Sequence, residues 1–242
     1  AFGSEQSHVY VSGDTAFNTD FNDLIDQYTP IVFGFVLTLS FILLTLAFRS
    51  IVVPIKAILM NLLSVGATYG LLVLAFQEGW GKRLGLGLAE TPTVDAWVPI
   101  FLFCVLFGLS MDYHVFLLSR IREHYDLTGN NRESVAVGLH STAKIITGAA
   151  LIMVAVFTGF AMGELVMMQQ MGFGLAIAVF LDATIVRSVL VPSSMALLGN
   201  RNWYLPRWLH WLPDLRVEGT AAHTPAPAPA PAVATVPGGG DD

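Results

Sequence analysis

Charged side chains are scarce in this sequence. Only 12% of its 242 residues are charged, whereas about a quarter are charged in an ordinary soluble domain. The charges fall in clusters, and long apolar stretches separate one cluster from the next. This pattern is typical of a membrane protein. The sequence also lacks the basic face that a nucleic-acid partner would require, so we predict no nucleic-acid binding.

Cysteine and enzyme motifs are scarce as well. Cys104 is the single cysteine, which excludes an intrachain disulfide. The sequence has no nucleophile elbow, zinc-protease helix, P-loop or dinucleotide fingerprint. We therefore predict a protein that is not an enzyme, with no catalytic residue, metal site or cofactor. Any energy that it uses must then come from an ion gradient, because this chain carries no ATP motor.

The first residues give neither an initiator methionine nor a signal-peptide core, so we interpret the chain as part of a longer protein. Segment 1–29 is predicted to be the end of an extracytoplasmic α+β domain, with a strand at 8–12 and a helix at 15–28. We expect this helix to end near Pro30, where the first apolar stretch begins.

Five stretches are long and apolar enough to cross a bilayer, which takes about 20 residues of helix. They lie at 31–48, 57–76, 96–119, 145–163 and 171–198. We therefore predict an all-α membrane domain over 30–200, built as a bundle of five transmembrane helices, with a short interfacial helix in the connector 77–95. Residues 201–216 are predicted to form an aromatic and basic interfacial segment, and 217–242 a disordered tail rich in proline and alanine.

The basic residues predict the orientation of the bundle. Nine of them flank the spans on one side: Arg49, Lys56, Arg120, Arg122, Arg132, Lys144, Arg201, Arg207 and Arg216. Only Lys82 and Arg83 lie on the other side. Because basic loops stay in the cytoplasm, we predict a multi-pass protein of the cytoplasmic membrane whose C-terminus is cytoplasmic.

Asp112 is the strongest candidate for a functional residue. It lies past the middle of the third span, where a charged carboxylate costs about 2.5–3.5 kcal/mol. A low dielectric favours the protonated form, so this group could exchange a proton. The adjacent Tyr113 could donate a hydrogen bond to a carboxylate from another helix. Ser110 and His114 add polar atoms nearby and are either relay groups or structural ones, since His114 could titrate or could be a hydrogen-bonded spacer. The alternative is that Asp112 only anchors neighbouring helices through hydrogen bonds.

Three other ionisable residues are either relay groups or structural anchors. Asp182 and Arg187 lie in the last span, five residues apart rather than the three or four that share a helix face. We favour a structural role for both, with the Arg187 head reaching toward the membrane surface. Lys144 opens the fourth span, where it is either a positive-inside anchor or a counter-charge for Asp112. The pairs Gly66/Gly70 and Gly159/Gly163 are small-residue patterns of the kind that packs helices together.

Five blocks of this sequence follow a pattern that is specific to one family of membrane proteins. The most specific block is FGLSMDYHVFLLSRIREHY at 107–125. Others are FRSIVVPIKAILMNLLSVGATYG at 48–70, ITGAALIMVAVFTGFA at 146–161, GFGLAIAVFLDATIVRSVLVPSSMALLG at 172–199 and NWYLPRW at 202–208. Together these blocks resemble the MMPL family (mycobacterial membrane protein large) of the resistance-nodulation-division superfamily.

The resemblance implies a transporter of two similar halves, of which this chain is the end of the second extracytoplasmic domain and spans eight to twelve. Asp112 and Tyr113 match the Asp-Tyr pair of span ten, which in the family couples protons through an equivalent pair on span four. The next residue in the family is often acidic or an amide, and here it is His114. The implied partners are the N-terminal half, membrane lipid and a hydrophobic substrate, and a homo-oligomer is left open.

We thus predict proton-driven export of lipids or other hydrophobic molecules, with Asp112 and Tyr113 as the proton relay. The competing hypothesis is a non-pumping protein of the same architecture, such as a sterol-sensing-like receptor or an assembly scaffold. Collapse of the proton gradient would stop the first activity and leave the second unchanged.

Overall fold

The computed structural model describes residues 13–206 and 209. All the regular secondary structure among these residues is helical. The helices are α1 (Asp14–Phe48), α2 (Val52–Leu72), α3 (Trp80–Arg83), α4 (Trp97–Thr128), α5 (Asn131–Ala161), α6 (Val166–Leu181) and α7 (Val191–Leu198). A first π segment (Val73–Gln77) extends α2, and a second π segment (Asp182–Leu190) joins α6 to α7. A 3₁₀ helix (Gly199–Trp203) follows α7.

Five continuous helical rods in this part of the chain are long and apolar enough to cross a membrane. They are Thr15–Phe48, Val52–Gln77, Trp97–Thr128, Asn131–Ala161 and Val166–Trp203. The predicted all-α fold with five spans is confirmed, and the chain is a multi-pass membrane protein. Helices suit the bilayer because they satisfy every backbone hydrogen bond within the segment, which the hydrocarbon interior cannot do.

The first rod differs from the prediction of two helices meeting at Pro30. Helix α1 runs unbroken through Pro30. Proline removes one backbone donor, so the Asp26 carbonyl one turn earlier loses its helical partner. On the same stretch of helix, the Thr29 hydroxyl donates to the Ile25 carbonyl at 2.6 Å. The predicted strand at 8–12, the tail at 217–242 and most of the segment at 201–216 lie outside the described residues.

Successive rods run in opposite directions, so the segments that connect them lie at the two ends of the bundle. One end, called the basic end, carries the loop 49–51, the turn 129–130 and the 3₁₀ helix. The turn is tight because Gly129 takes a left-handed conformation (φ 67°) after α4, and the Asn130 side chain then caps α5 by accepting from the Glu133 backbone at 3.4 Å. This short connection makes α4 and α5 antiparallel neighbours.

The opposite end, called the connector end, carries segment 78–96 and the turn between α5 and α6. The predicted short helix in this connector is confirmed as α3. Two glutamines at the start of α6 accept hydrogen bonds from the backbone of the connector after α3. The Gln169 side chain accepts from the Ala89 backbone at 2.9 Å, and the Gln170 side chain accepts from the Asp95 backbone at 3.0 Å.

Close helix approach occurs at glycines other than the predicted pairs. A Cβ on Gly138 would overlap the Ile121 side chain of α4, and a Cβ on Gly172 would lie 2.6 Å from the Phe157 carbonyl of α5. Gly66, Gly70 and Gly159 would meet nothing within 4 Å, and Gly163 would meet only the carbonyl of Phe160 in its own turn. The expectation that these pairs pack helices is therefore wrong within the described residues, because both face away from the neighbouring helices.

Asn202 ties the basic end of the bundle together. Its amide nitrogen donates to the carbonyls of Met195 at 2.8 Å and Gly199 at 2.6 Å. Its side-chain oxygen accepts from the Lys56 ammonium, and its backbone carbonyl accepts from the Ser50 hydroxyl at 2.6 Å. One buried side chain thus joins the end of the last rod to the start of α2.

Candidate functional site

Helix α4 lies at the centre of the bundle and carries candidate residues on two of its faces. It packs against α1, α2, α5 and α6. Asp112 points away from these helices and is exposed on the surface of the bundle. Tyr113 is half-buried, with its hydroxyl 3.6 Å from the Met153 sulfur on α5. The structure therefore places Asp112 on an outer face of this five-helix unit rather than within it.

The inner face of α4 meets a second carboxylate and its counter-ion. Asp182 and Arg187, both in the second π segment, are 6% and 3% exposed. The Arg187 Nε and Nη2 atoms donate to the same Asp182 oxygen, Oδ2, at 2.9 and 2.6 Å. Nη2 also donates to the Ser110 carbonyl of α4 at 3.0 Å. Arg187 is fully engaged inside the bundle, so its head does not reach toward the membrane surface as expected.

Two further polar groups complete this arrangement, which we call the buried polar network (Asn61, Ser110, Asp182 and Arg187). The Ser110 hydroxyl lies 2.7 Å from Asn61 Oδ1 and 3.2 Å from Asp182 Oδ1. A hydroxyl has one hydrogen, and Asn61 Nδ2 has no partner among the described residues. With the Asn61 amide turned over, Nδ2 donates to the Ser110 hydroxyl, which then donates its one hydrogen to Asp182, and the Asn61 oxygen takes the unpartnered position.

The π-helical backbone explains why Asp182 and Arg187 meet. In an α-helix, residues five apart lie about 140° apart around the axis and cannot pair. A π-helix bonds residue i to residue i+5 and so places such residues on one face. The Ser188 hydroxyl shows the same spacing, donating to the Ala183 carbonyl at 2.9 Å. The expectation that this pair does not share a helix face is wrong, because it assumed an α-helix.

Arg187 also connects the buried polar network to the Asp-Tyr pair. Its guanidinium carbon lies 4.6 Å from the centre of the Tyr113 ring, a cation–π distance. A small cleft between α4, α5 and the second π segment is lined by these groups together with Met153 and Ile146. Any charge that appears or disappears beside Tyr113 therefore acts on a cation that is hydrogen-bonded to Asp182 in its own segment and to Ser110 of α4.

The remaining predicted site residues have different surroundings. His114 is buried, 2% exposed, on the inner face of α4. Lys144 is exposed on α5 and makes no ion pair with Asp112 within the described part of the chain. The structure thus brings Ser110, Asp182 and Arg187 together and leaves Lys144 apart from them.

Asn61 is a member of the site that the sequence did not single out. It is the only amide in the second span, and polar side chains inside a span usually contact other polar groups. This polarity could have singled out Asn61 in the sequence. Its partner Ser110 could not be predicted, because the contact joins residues on two different spans.

Comparison with known proteins identifies the family. The model of the MMPL family matches residues 3–213 of this chain. The chain belongs to the MMPL family. The match covers the Asp-Tyr pair and the buried polar network.

Several curated relatives are similar to this MMPL chain over most of its length. The "Heme uptake protein MmpL11" of Mycobacterium tuberculosis is 46% identical over 210 residues, 86% of this chain and 22% of the relative. The "Mycolic acid-containing lipids exporter MmpL11" of Mycolicibacterium smegmatis is 44% identical over 88% of this chain and 22% of the relative. The "Trehalose monomycolate exporter MmpL3" of the same species is 39% identical over 83% and 20%. The chain thus spans about a fifth of the length of these relatives.

Proposed function

We propose that this chain is the C-terminal membrane portion of a longer transporter. In this proposal the transporter exports lipids or other hydrophobic molecules across the cytoplasmic membrane and is driven by the proton-motive force. Family membership and the exporter names of two relatives support the transport of lipids. Proton coupling through Asp112 and Tyr113 is the finer part of the proposal and rests on the geometry of the site.

The exposed position of Asp112 is the observation that carries the proposal. An ionisable side chain in an apolar helix is costly when it faces lipid, and such residues normally face a bundle interior or a hydrated cavity. Asp112 faces away from the other helices in the part of the chain that the structure describes. We infer that another part of the transporter, its N-terminal half, covers this face and offers Asp112 a polar partner.

The contacts around Tyr113 supply a route from proton binding to helix movement. Protonation of Asp112 removes a negative charge next to Tyr113, whose ring lies against the Arg187 guanidinium. Arg187 in turn links α4 to the second π segment through Ser110 and Asp182. A change in the strength of these contacts alters how the last rod packs on α4, which is the kind of two-state element that a transport cycle requires.

The proton gradient is large enough to drive such a change. One charge crossing the membrane contributes about 2.3 kcal/mol per 100 mV. Each pH unit of gradient adds about 1.4 kcal/mol. At 100 mV and one pH unit the total of about 3.7 kcal/mol is of the same size as the few kcal/mol that separate two conformations of a helix bundle.

The decisive experiment is Asp112→Asn in the full-length protein. We expect the variant to insert normally and to lose export, since asparagine keeps the shape of aspartate but exchanges no proton. Asp126→Asn on the same helix is the matched control, because Asp126 is an exposed partner of Arg122 at the basic end. Full export by a well-expressed Asp112→Asn protein would overturn the proposal.

Two further measurements separate the alternatives. If an uncoupler that collapses the proton gradient leaves the activity unchanged, the non-pumping receptor or scaffold is the better account. Cargo is identified by lipid profiling of a deletion strain and of the Asp112→Asn strain. Accumulation of a lipid inside both strains supports export, whereas a loss of haem uptake without any lipid change favours the activity named for the Mycobacterium tuberculosis relative.

A further inference from the structure

His114 is a buried titratable residue that the proposed proton relay does not use. It is 2% exposed and lies one helical turn from Ser110, on the face of α4 that meets the buried polar network. Its Nδ1 atom has no hydrogen-bond partner among the described residues. Buried polar atoms are nearly always partnered, so an orphan nitrogen at this place requires an explanation.

The charges around the imidazole come from two neighbouring elements. Arg187 and Asp182 act on it from the second π segment, and Lys56 acts on it from α2. These are the charged groups that influence the ring among the described residues. Its own neighbours on α4 point elsewhere, since Asp112 is exposed and Tyr113 faces Arg187. Two cations and one anion thus act electrostatically on a group that can itself become a cation.

We propose that His114 is a second proton-binding residue, which becomes the counter-ion of Asp182 when Arg187 leaves that carboxylate. This deepens the proposed function, on which it rests for its place in a transport cycle. With hydrogen on Nε2, the Nδ1 lone pair is free to form one new N–H bond, and the proton comes from the aqueous phase. The network then exchanges one positive charge, on Arg187, for another on His114.

The physical reason is charge balance in a low dielectric. Arg187 and Lys56 already supply two positive charges. While Arg187 is bonded to Asp182, a third positive charge on His114 is unfavourable and the ring stays neutral. When Arg187 turns away from Asp182 toward the Asp112 face, Asp182 is left unpaired, which is costly for a buried carboxylate. Protonation of His114 restores neutrality. Proton binding at His114 and release of Arg187 therefore favour each other.

The test is a ¹⁵N NMR measurement of histidine protonation in the full-length protein in lipid nanodiscs. The His114 signals are assigned by their loss in His114→Gln. At pH 7 we expect a neutral ring in the wild type and about tenfold more imidazolium in Arg187→Gln. Asp182→Asn should keep the ring neutral at lower pH than in the wild type. The signal of His124, which contacts Ser134 at 3.1 Å at the end of the same helix, should not change with Arg187→Gln.

A second variant makes the result independent of whether Arg187→Gln folds. Lys56→Gln removes the other cation, half-buried at the basic end, and should also increase the imidazolium fraction of His114. Equal protonation of His114 in the wild type and in both variants would overturn the inference. The measurement requires no transport, so a response of His114 combined with full export by Asp112→Asn would refute the proposed function and leave this inference standing.

Discussion

Arg187 is held by several contacts inside the bundle. It donates three hydrogen bonds within 3.0 Å, to Asp182 and to the Ser110 carbonyl, and its guanidinium also lies over the Tyr113 ring. Removing one partner of such a buried pair leaves an uncompensated charge, whereas removing both partners leaves none. The Asp182–Arg187 pair should therefore behave very differently from an ion pair at the surface.

This contrast gives a prediction at the residue scale. Asp182→Asn and Arg187→Gln, made singly in the full-length protein, should each lower the free energy of unfolding by about 3–5 kcal/mol. The double variant should recover most of that loss. The measurement is thermal unfolding in detergent, analysed as a double-mutant cycle.

The Arg122–Asp126 pair of α4 is the control for this cycle. Its side chains are 33% and 41% exposed and lie 2.9 Å apart. Asp126→Asn should change the stability by no more than about 1 kcal/mol, because water and salt screen an exposed pair. Additive losses at Asp182 and Arg187, with no recovery in the double variant, would contradict the buried network described above.

At the scale of the elements, close packing between α4, α5 and α6 depends on glycines that face a neighbour. We expect Gly138→Ala to destabilise the full-length protein by about 1–3 kcal/mol, because the new methyl group would overlap Ile121. Gly148→Ala on the same helix is the control, since a Cβ there meets nothing within 4 Å in this chain. Thermal unfolding of the two variants side by side decides the matter. An unchanged Gly138→Ala protein would show that α4 and α5 are further apart than described.

The five helices could be predicted from sequence because the bilayer leaves little choice. An apolar stretch of about 20 residues must satisfy its backbone internally, so each such stretch becomes a helix. The π register of Asp182–Leu190 could not be predicted in this way. Apolar length does not distinguish an α-helix from a π-helix, and the pairing of Asp182 with Arg187 depends on that difference.

The candidate site was predictable only in part, because its contacts depend on how the helices are rotated and packed. Asp112 and Ser110 stand out as polar residues in an apolar span, but the sequence does not give the rotation of α4 about its axis. That rotation decides that Ser110 faces Asn61 and Asp182 while Asp112 faces outward. Contacts between separate spans, such as Ser110 with Asn61, depend on tertiary packing.

At the scale of the whole molecule, the distribution of basic residues predicts which end of the bundle lies in the cytoplasm. Leu127 at the basic end and Leu84 at the connector end are 76% and 68% exposed, which makes them matched positions for labelling. Cys104 is first replaced by alanine, and a single cysteine is then placed at either position. We expect an impermeant thiol reagent to label Leu84→Cys in intact cells, and Leu127→Cys only after permeabilisation. The reverse pattern would contradict the predicted orientation.

The charge on Asp112 is the central quantity of the whole account. If proton exchange at this carboxylate drives the helices, its carboxylic-acid infrared band must appear and disappear within the pH range in which the transporter works. We expect difference infrared spectra of the full-length protein in lipid to show this band in the wild type and not in Asp112→Asn. An Asp112 that stays ionised throughout that range would contradict the account.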